Sequence, residues 1–325
     1  MNLFTAKTAS LVVAMAFVLA CYHPARAGTE IRMALTDPAG STVYRAISEV
    51  FKKRVEALTN GQVTVTLFPG SQLGTYKEEL EQIRAGALTS LYESIGTIGP
   101  WDPIAGIESV PYLYKDELDF FKKWRSPVGQ QLLDQLAKDS GFRLVGPAFR
   151  GFRVMSANQK VEKVQDVSGM KLRVPAIKIY MDTWKAFGAN PTPIAFEEVF
   201  TALQQGVVMG QENPVSVIYD NHFDEVCKYL ILTNHAAETV GVIFNDNWWQ
   251  KQSPEDRQAI ETAAAAVSDW LRDFTDQSEA RQIDRLRAKG MTVITPDISG
   301  FVTRGKNVPL DPKLEVWVKR FEALD

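Results

Sequence analysis

The stretch from Met170 to Pro214, MKLRVPAIKIYMDTWKAFGANPTPIAFEEVFTALQQGVVMGQENP, decides how this chain folds. Lys171 to Val174 is a short apolar and cationic run that reads as a buried parallel strand carrying Arg173. Pro175 ends it, having no N–H to give a sheet. Met181, Trp184 and Phe187 then recur at helical spacing, and Gly188 stands where a left-handed cap closes a helix. Ala189 to Ile194 returns as an extended segment interrupted by prolines. Phe196, Val199, Phe200 and Leu203 fall on one helical face before Gly206 stops that helix. The order is β-α-β-α, which marks a parallel sheet. In open sheets of this kind ligands lie beyond the carboxyl ends of the strands, where Arg173 and the turn from Gln211 to Pro214 are expected to meet.

Working outward, the same alternation opens the chain. Ile31 to Leu35, Val63 to Phe68 and Leu88 to Glu93 read as strands, with helices from Thr42 to Leu58 and from Tyr76 to Ala85 between them. Phe142 to Phe149 and Phe152 to Ser156 read as two strands, with a crossing into a second domain around Arg150 and Gly151. Tyr229 to Thr233 and Val240 to Phe244 are two more, which carry the chain back. Pro254 to Lys289 contains no breaker, with Ser253 as N-cap and Gly290 as stop. It is either one helix of roughly 54 Å that runs along both domains or two shorter helices. A chain of 325 residues exceeds one ordinary core and suggests two domains. The expected division is residues 28–150 with about 239–278 in one, and 151–238 with about 279–325 in the other.

Composition narrows the class. With 45% hydrophobic and 23% charged residues the chain is globular, and a net charge of −3 argues against nucleic acid as partner. Lys7, the apolar run Leu11 to Ala20 and then Ala25-Arg26-Ala27 read as a secretory signal peptide over residues 1–27, cut after Ala27. The expected location is therefore the periplasm. A competing reading makes Val18 to Cys21 a lipoprotein box with Cys21 acylated. After cleavage only Cys227 remains, in apolar surroundings that suit a buried, inert thiol.

The organising stretch resembles the extracytoplasmic solute-binding subunits of TRAP transporters, the tripartite ATP-independent periplasmic type (DctP-like). The resemblance is carried by Lys171 to Pro175, Ala186 to Pro193, Phe196, Glu198-Val199, Ala202 to Gln204 and Gly210 to Pro214. It extends to Pro69 through Gly74 upstream and Thr233-Asn234-His235 downstream, and so covers nearly the whole chain after residue 27. It implies a bilobal, periplasmic-binding-protein-like α/β fold with a hinge and a long domain-spanning helix. It also implies a monomer that binds a small organic acid, uses no cofactor or metal, and serves a small and a large integral-membrane subunit. Met209 departs from the family pattern, which usually has an acidic residue there, and a looser turn is the expected consequence.

Arginine suits the carboxyl end of a strand in such a protein because its planar fork grips a carboxylate through two parallel hydrogen bonds. From the residues alone Arg173 is either such a clamp or a structural arginine paired with an acid. The resemblance places it on the family's ligand-carboxylate arginine. Arg153 falls where the family often has a second ligand-facing arginine, and a solvated surface arginine is the alternative. The Asn213 amide can donate to the same carboxylate, its direction fixed by Pro214. Phe196 fits either core or pocket wall, and the resemblance makes it an aromatic that packs on ligand. Glu93, Tyr76, Thr36, Trp184 and Tyr219 are candidates for reading the rest of the ligand, although Trp184 also fits a core stripe.

A dicarboxylate, a hydroxy or keto acid, a sugar acid, an aromatic acid and a sulfonate all suit one arginine. Phe196 and Glu93 tilt the choice toward a monocarboxylate bearing hydroxyls or an aromatic ring. An exported enzyme is disfavoured: after residue 27 the chain has only His222 and His235, no cysteine cluster and no Gly-x-Ser-x-Gly. A binding protein for an ATP-driven importer or a sensor shares the architecture but not the Arg173 to Asn213 pattern.

Overall fold

A computed structural model describes residues 28–325; the signal-peptide segment and Cys21 lie outside the described residues. Alternation sets the first elements. β1 (Thr29–Leu35) has a strand on either side and buries Ile31 and the run Met33 to Leu35, whereas the edge strand β2 (Val63–Phe68) turns Val63 and Val65 inward and Thr64 and Thr66 outward. Between them α1 runs as α-helix over Thr42–Arg45, π-helix over Ala46–Lys52 and α-helix over Lys53–Leu58. α2 (Tyr76–Ala85) opens on a capping box of Thr75 and Glu78 and closes on Gly86 at φ 76°. β3 (Ser90–Ser94) follows, then α3 (Glu117–Trp124) and α4 (Pro127–Ser140), separated where Ser126 caps α4 and Pro127 begins it.

The next strand differs from the sequence reading. β4 is one strand of 16 residues, Phe142–Ala157, kept continuous through register shifts rather than divided at Arg150. β5 (Lys171–Val174), α5 (Lys178–Phe187), β6 (Asn190–Pro193), α6 (Val199–Gln204) and β7 (Gly210–Pro214) form the expected β-α-β-α unit, and α7 (Val215–Asp220) continues from it. β8, Tyr229–Asn245, is again one strand where two were expected, with α8 (Asp246–Gln250) at its end. α9 is a single helix of 35 residues, Pro254–Ala288, which resolves that alternative, followed by β9 (Thr292–Ile294), α10 (Ser299–Gly305) and α11 (Pro312–Glu322).

Among the described residues all nine strands share one sheet, in the order β2-β1-β3-β8-β4-β7-β5-β6, with β9 beside β8. The antiparallel ribbon of β4 and β8 is its spine. One end of the ribbon pairs β3, and the other pairs β7 and β9. Helices cover both faces of each half. In the first half Leu80, Phe120 and Leu136 pack on one face while Ile47, Phe51 and Ile260 pack on the other. In the second, Trp184 and Phe301 lie on one face and Val199, Ile218 and Leu286 on the other. α9 thus contributes Ile260 to one half and Leu286 to the other.

Two expectations need correction. α11 packs Leu314, Trp317 and Phe321 beside Ile107 and Phe120, in the first half and not the second, because the apolar face of α11 completes that core. The turn at Met209 is not loose: its N–H donates to Lys171 O at 2.8 Å and its carbonyl accepts from Asn158 N at 2.8 Å, so only the side chain is exposed. Cys227 is buried, and burial pushes its thiol up to about 11.

Candidate functional site

The carboxyl ends of the parallel strands converge on one cavity. Thr36 and Asp37 follow β1, Glu93 closes β3, Arg173 lies in β5 and Asn213 in β7, and all five line it. Tyr76 at the start of α2 and Phe196 before α6 form further wall, and Arg150, Arg153 and Glu238 reach in from the β4–β8 ribbon. Of the nine candidates named from the sequence, Arg173, Asn213, Arg153, Phe196, Glu93, Tyr76 and Thr36 are brought together here.

Trp184 and Tyr219 are not. Trp184 is fully buried in the second half, its ring 5.2 Å from Phe187 and 5.0 Å from His235, because its helical stripe faces the core. Tyr219 lies two residues beyond the cavity residue Val217 on α7 and therefore on a different face. Its hydroxyl accepts from Arg285 at 3.3 Å, against α9.

The three arginines differ in kind. Arg153 is saturated: Nε and Nη2 bond the Glu212 carboxylate at 2.6 and 2.8 Å, Nη1 bonds Glu238 at 2.5 Å, and the guanidinium lies 4.7 Å from the Tyr180 ring centre. Glu212 in turn meets His235 Nε2 at 3.1 Å, and although burial opposes its charge, Arg153 holds its carboxyl below the ordinary range. Arg150 pairs with Asp37 at 2.5 Å. Arg173 is different. It is 1% exposed, donates from Nε to Ile194 O at 2.9 Å, and makes no ion pair among the described residues. Burial pulls its guanidinium down to about 10. Phe196 lies 5.8 Å beneath it. The Asn213 amide donates to Gln211 Oε1 at 2.5 Å, which sets its direction.

Glu93 accepts from the Thr36 hydroxyl and from Ser94 N–H. Burial raises its carboxyl to about 8, with Asp37 and Glu238 adding to the rise, so the acid is largely neutral at pH 7. The wall therefore offers one unmatched cation, an amide, an apolar ring and several oxygen acceptors, an arrangement that can hold an anion carrying hydroxyls.

Sequence reasoning missed Asp37, Arg150, Tyr180 and Glu238. Asp37 follows β1 directly, and the carboxyl-end rule could have found it. Arg150 and Glu238 were legible only to a reading that kept β4 and β8 whole.

A two-sided α/β fold with a buried, unpaired arginine in an enclosed cavity defines a binding protein for a small anion. The family model described as bacterial extracellular solute-binding protein, family 7 (DctP) matches residues 33–308, and the chain belongs to that family. It is similar to the sialic acid-binding periplasmic protein SiaP of Vibrio cholerae, 30% identical over 295 residues that cover 91% of this chain and 92% of that one. It is also similar to two crystal structures of TRAP periplasmic solute binding proteins. That from Roseobacter denitrificans, with bound L-galactonate, has a TM-score of 0.85 and 28% identity, and covers 90% of this chain and 98% of its own. That from Polaromonas sp. JS666, bound to D-erythronate, has a TM-score of 0.81 and 32% identity, with coverage of 91% and 96%. No helix among the described residues is long and apolar enough to cross a membrane.

Proposed function

We propose that this protein captures a polyhydroxylated monocarboxylate, an aldonate or uronate, in the periplasm. It acts there as a monomer without cofactor or conversion, closes over the ligand and delivers it to the membrane subunits of a TRAP transporter. The observation that carries the reading is Arg173, a buried guanidinium left without a counter-ion in a cavity whose other arginines are paired. An isolated buried charge is costly, and a ligand carboxylate relieves the cost. Asn213 supplies a further donor, and Phe196 a flat wall. One unmatched cation suits one carboxylate. Asp37 and Glu238 on the same wall oppose a second carboxylate, and with the neutral Glu93 they suit hydroxyls. Sialic acid, L-galactonate and D-erythronate, named for the three similar proteins, each join one carboxylate to a row of hydroxyls, which supports the same class here.

The test is thermal unfolding of residues 28–325 against aldonates, uronates, dicarboxylates, sulfonates and neutral sugars. Ligand at 100 times its dissociation constant adds about 2.7 kcal/mol, which moves the midpoint by several degrees. Aldonates or uronates shift it and neutral sugars do not. Arg173→Ala lowers the affinity for the acid at least about 100-fold while the unliganded midpoint holds or rises, because the variant no longer buries a lone charge. Near-normal affinity in Arg173→Ala sinks the clamp.

A further inference from the structure

Two buried polar atoms on the cavity wall have no hydrogen-bond partner: Arg150 Nε and Glu238 Oε2. They stand 3.8 Å apart, too far to bond each other. Each group is held back from closing the gap. Arg150 Nη2 is tied to Asp37 Oδ1 at 2.5 Å, and Glu238 Oε1 accepts from Arg153 Nη1 at 2.5 Å. Bringing Nε and Oε2 together would strain or break one of these charge-assisted bonds. The ribbon itself sets the gap. Phe149 pairs with Thr239 and Phe152 with Ala237, and the register shift between those pairs contains both Arg150 and Glu238. Gly151, at φ +117°, makes the local turn possible, and the bulge aims both side chains at the cavity.

An unmade donor beside an unmade acceptor asks for one group that does both. A ligand carboxylate can only accept and meets Glu238 unfavourably, and an ammonium can only donate and meets Arg150 unfavourably. A hydroxyl does both: its oxygen accepts from Arg150 Nε while its O–H donates to Glu238 Oε2. We propose that Arg150 Nε and Glu238 Oε2 form a hydroxyl-reading subsite, in which one ligand hydroxyl donates to Glu238 and accepts from Arg150, making this pair specificity-determining for hydroxylated acids. The inference rests on the reading of the ligand as a hydroxylated monocarboxylate and adds the residues that enforce it.

The experiment is isothermal titration of residues 28–325 with L-galactonate, D-erythronate and D-glucuronate, then with each monodeoxy analogue of the tightest binder. One deoxy position loses at least about tenfold in affinity, the scale of a hydrogen bond to a charged group. Glu238→Gln, which keeps an oxygen for Arg153, loses a similar factor with the parent acid but nothing further with that one analogue. The losses fail to add there and add at every other position. A purely structural role for Glu238 gives additive losses throughout, which overturns the proposal. So does equal binding of all deoxy analogues by the wild type, the outcome when a water fills the gap, and that measurement requires no variant. Wild type that binds none of the three acids, or prefers succinate, overturns this inference together with the ligand class. Wild type that binds while Arg173→Ala binds equally well sinks the clamp alone, because the Glu238 cycle is still read on the wild-type background.

Discussion

Glu93 shows how one side chain is tuned by where β3 ends. Burial raises its carboxyl from 4.5 to about 8; Ser94 N–H opposes the rise, and Asp37 and Glu238 reinforce it. Because the folded-state value lies above the unfolded one, Glu93 binds a proton in the folded protein that the unfolded chain has released. Stability is therefore greatest below about 4.5 and is lost as pH rises toward about 8. Glu93→Gln removes that dependence. Its unfolding midpoint gains on wild type across this window, by several degrees at the top, and the difference levels off above it. Thermal unfolding of the two unliganded proteins from pH 4.5 to 9 checks this, and a constant difference across the range rules out the assignment. Ligand affinity carries the same signature. Ionised Glu93 opposes an anion in the cavity, so wild type weakens toward a carboxylate above pH 8 more than Glu93→Gln does. Glu212 behaves with the opposite sign: Arg153 holds its carboxyl low, and the stability it contributes is present above the unfolded value and lost as acid protonates it.

At the scale of elements, the β4–β8 ribbon and α9 carry the connection between halves, and they meet at Gly146. A Cβ built there would lie 2.5 Å from Ala264 Cβ and 2.8 Å from the Ala264 carbonyl carbon, and φ is +66°. Gly146→Ala accordingly destabilises by about 1–3 kcal/mol through overpacking. Adding Ala264→Gly recovers only part of the loss, because the backbone of α9 stays in the way. Urea denaturation of the single and double variants measures both, and an unchanged midpoint in Gly146→Ala rules out the close approach. The same residues explain what was legible in the sequence. The unit from Lys171 to Pro214 could be read because strand, cap and helix signals coincide there and prolines mark its ends. β4 and β8 could not, because Arg150-Gly151 looks like the end of a strand when it is a bulge inside one, and the polar residues from Asn234 to Thr239 interrupt the apolar run of β8. That misreading hid Arg150 and Glu238, since a charge at a boundary reads as surface and a charge within a continuous buried strand does not. Trp184 and Tyr219 show the opposite case: nearness in sequence makes both candidates, the helical stripe of Trp184 already favours core, and helix rotation turns both aside.

For the whole molecule, the cavity wall is shared. Thr36, Tyr76 and Glu93 come from the first half, and Arg173, Phe196 and Asn213 from the second, so a ligand held there touches both. Asp220, at the end of α7 in the second half, accepts from Thr42 N at 2.9 Å at the start of α1 in the first. This bond joins the two halves, and a carboxylate is favoured at the positive end of a helix. The elements that cross between halves, β4, β8 and α9, are continuous, and the β4–β8 pairing carries register shifts where a hinge is expected to bend. Opening therefore breaks Asp220–Thr42 and exposes the cavity while both cores remain packed. Small-angle scattering of residues 28–325 shows an unliganded population more extended than the liganded one, with compaction when L-galactonate or another bound acid saturates the site. Asp220→Ala moves the unliganded profile further toward the extended form. Its apparent affinity falls in proportion to the lost closed fraction, about tenfold for one part-buried hydrogen bond to a charged group. Arg173→Ala, which removes the attraction that rewards closing, leaves the extended profile unchanged by the acid. Profiles that coincide with and without ligand in wild type mean that the halves do not move, and the cavity must then fill by a local route such as the loop after β1.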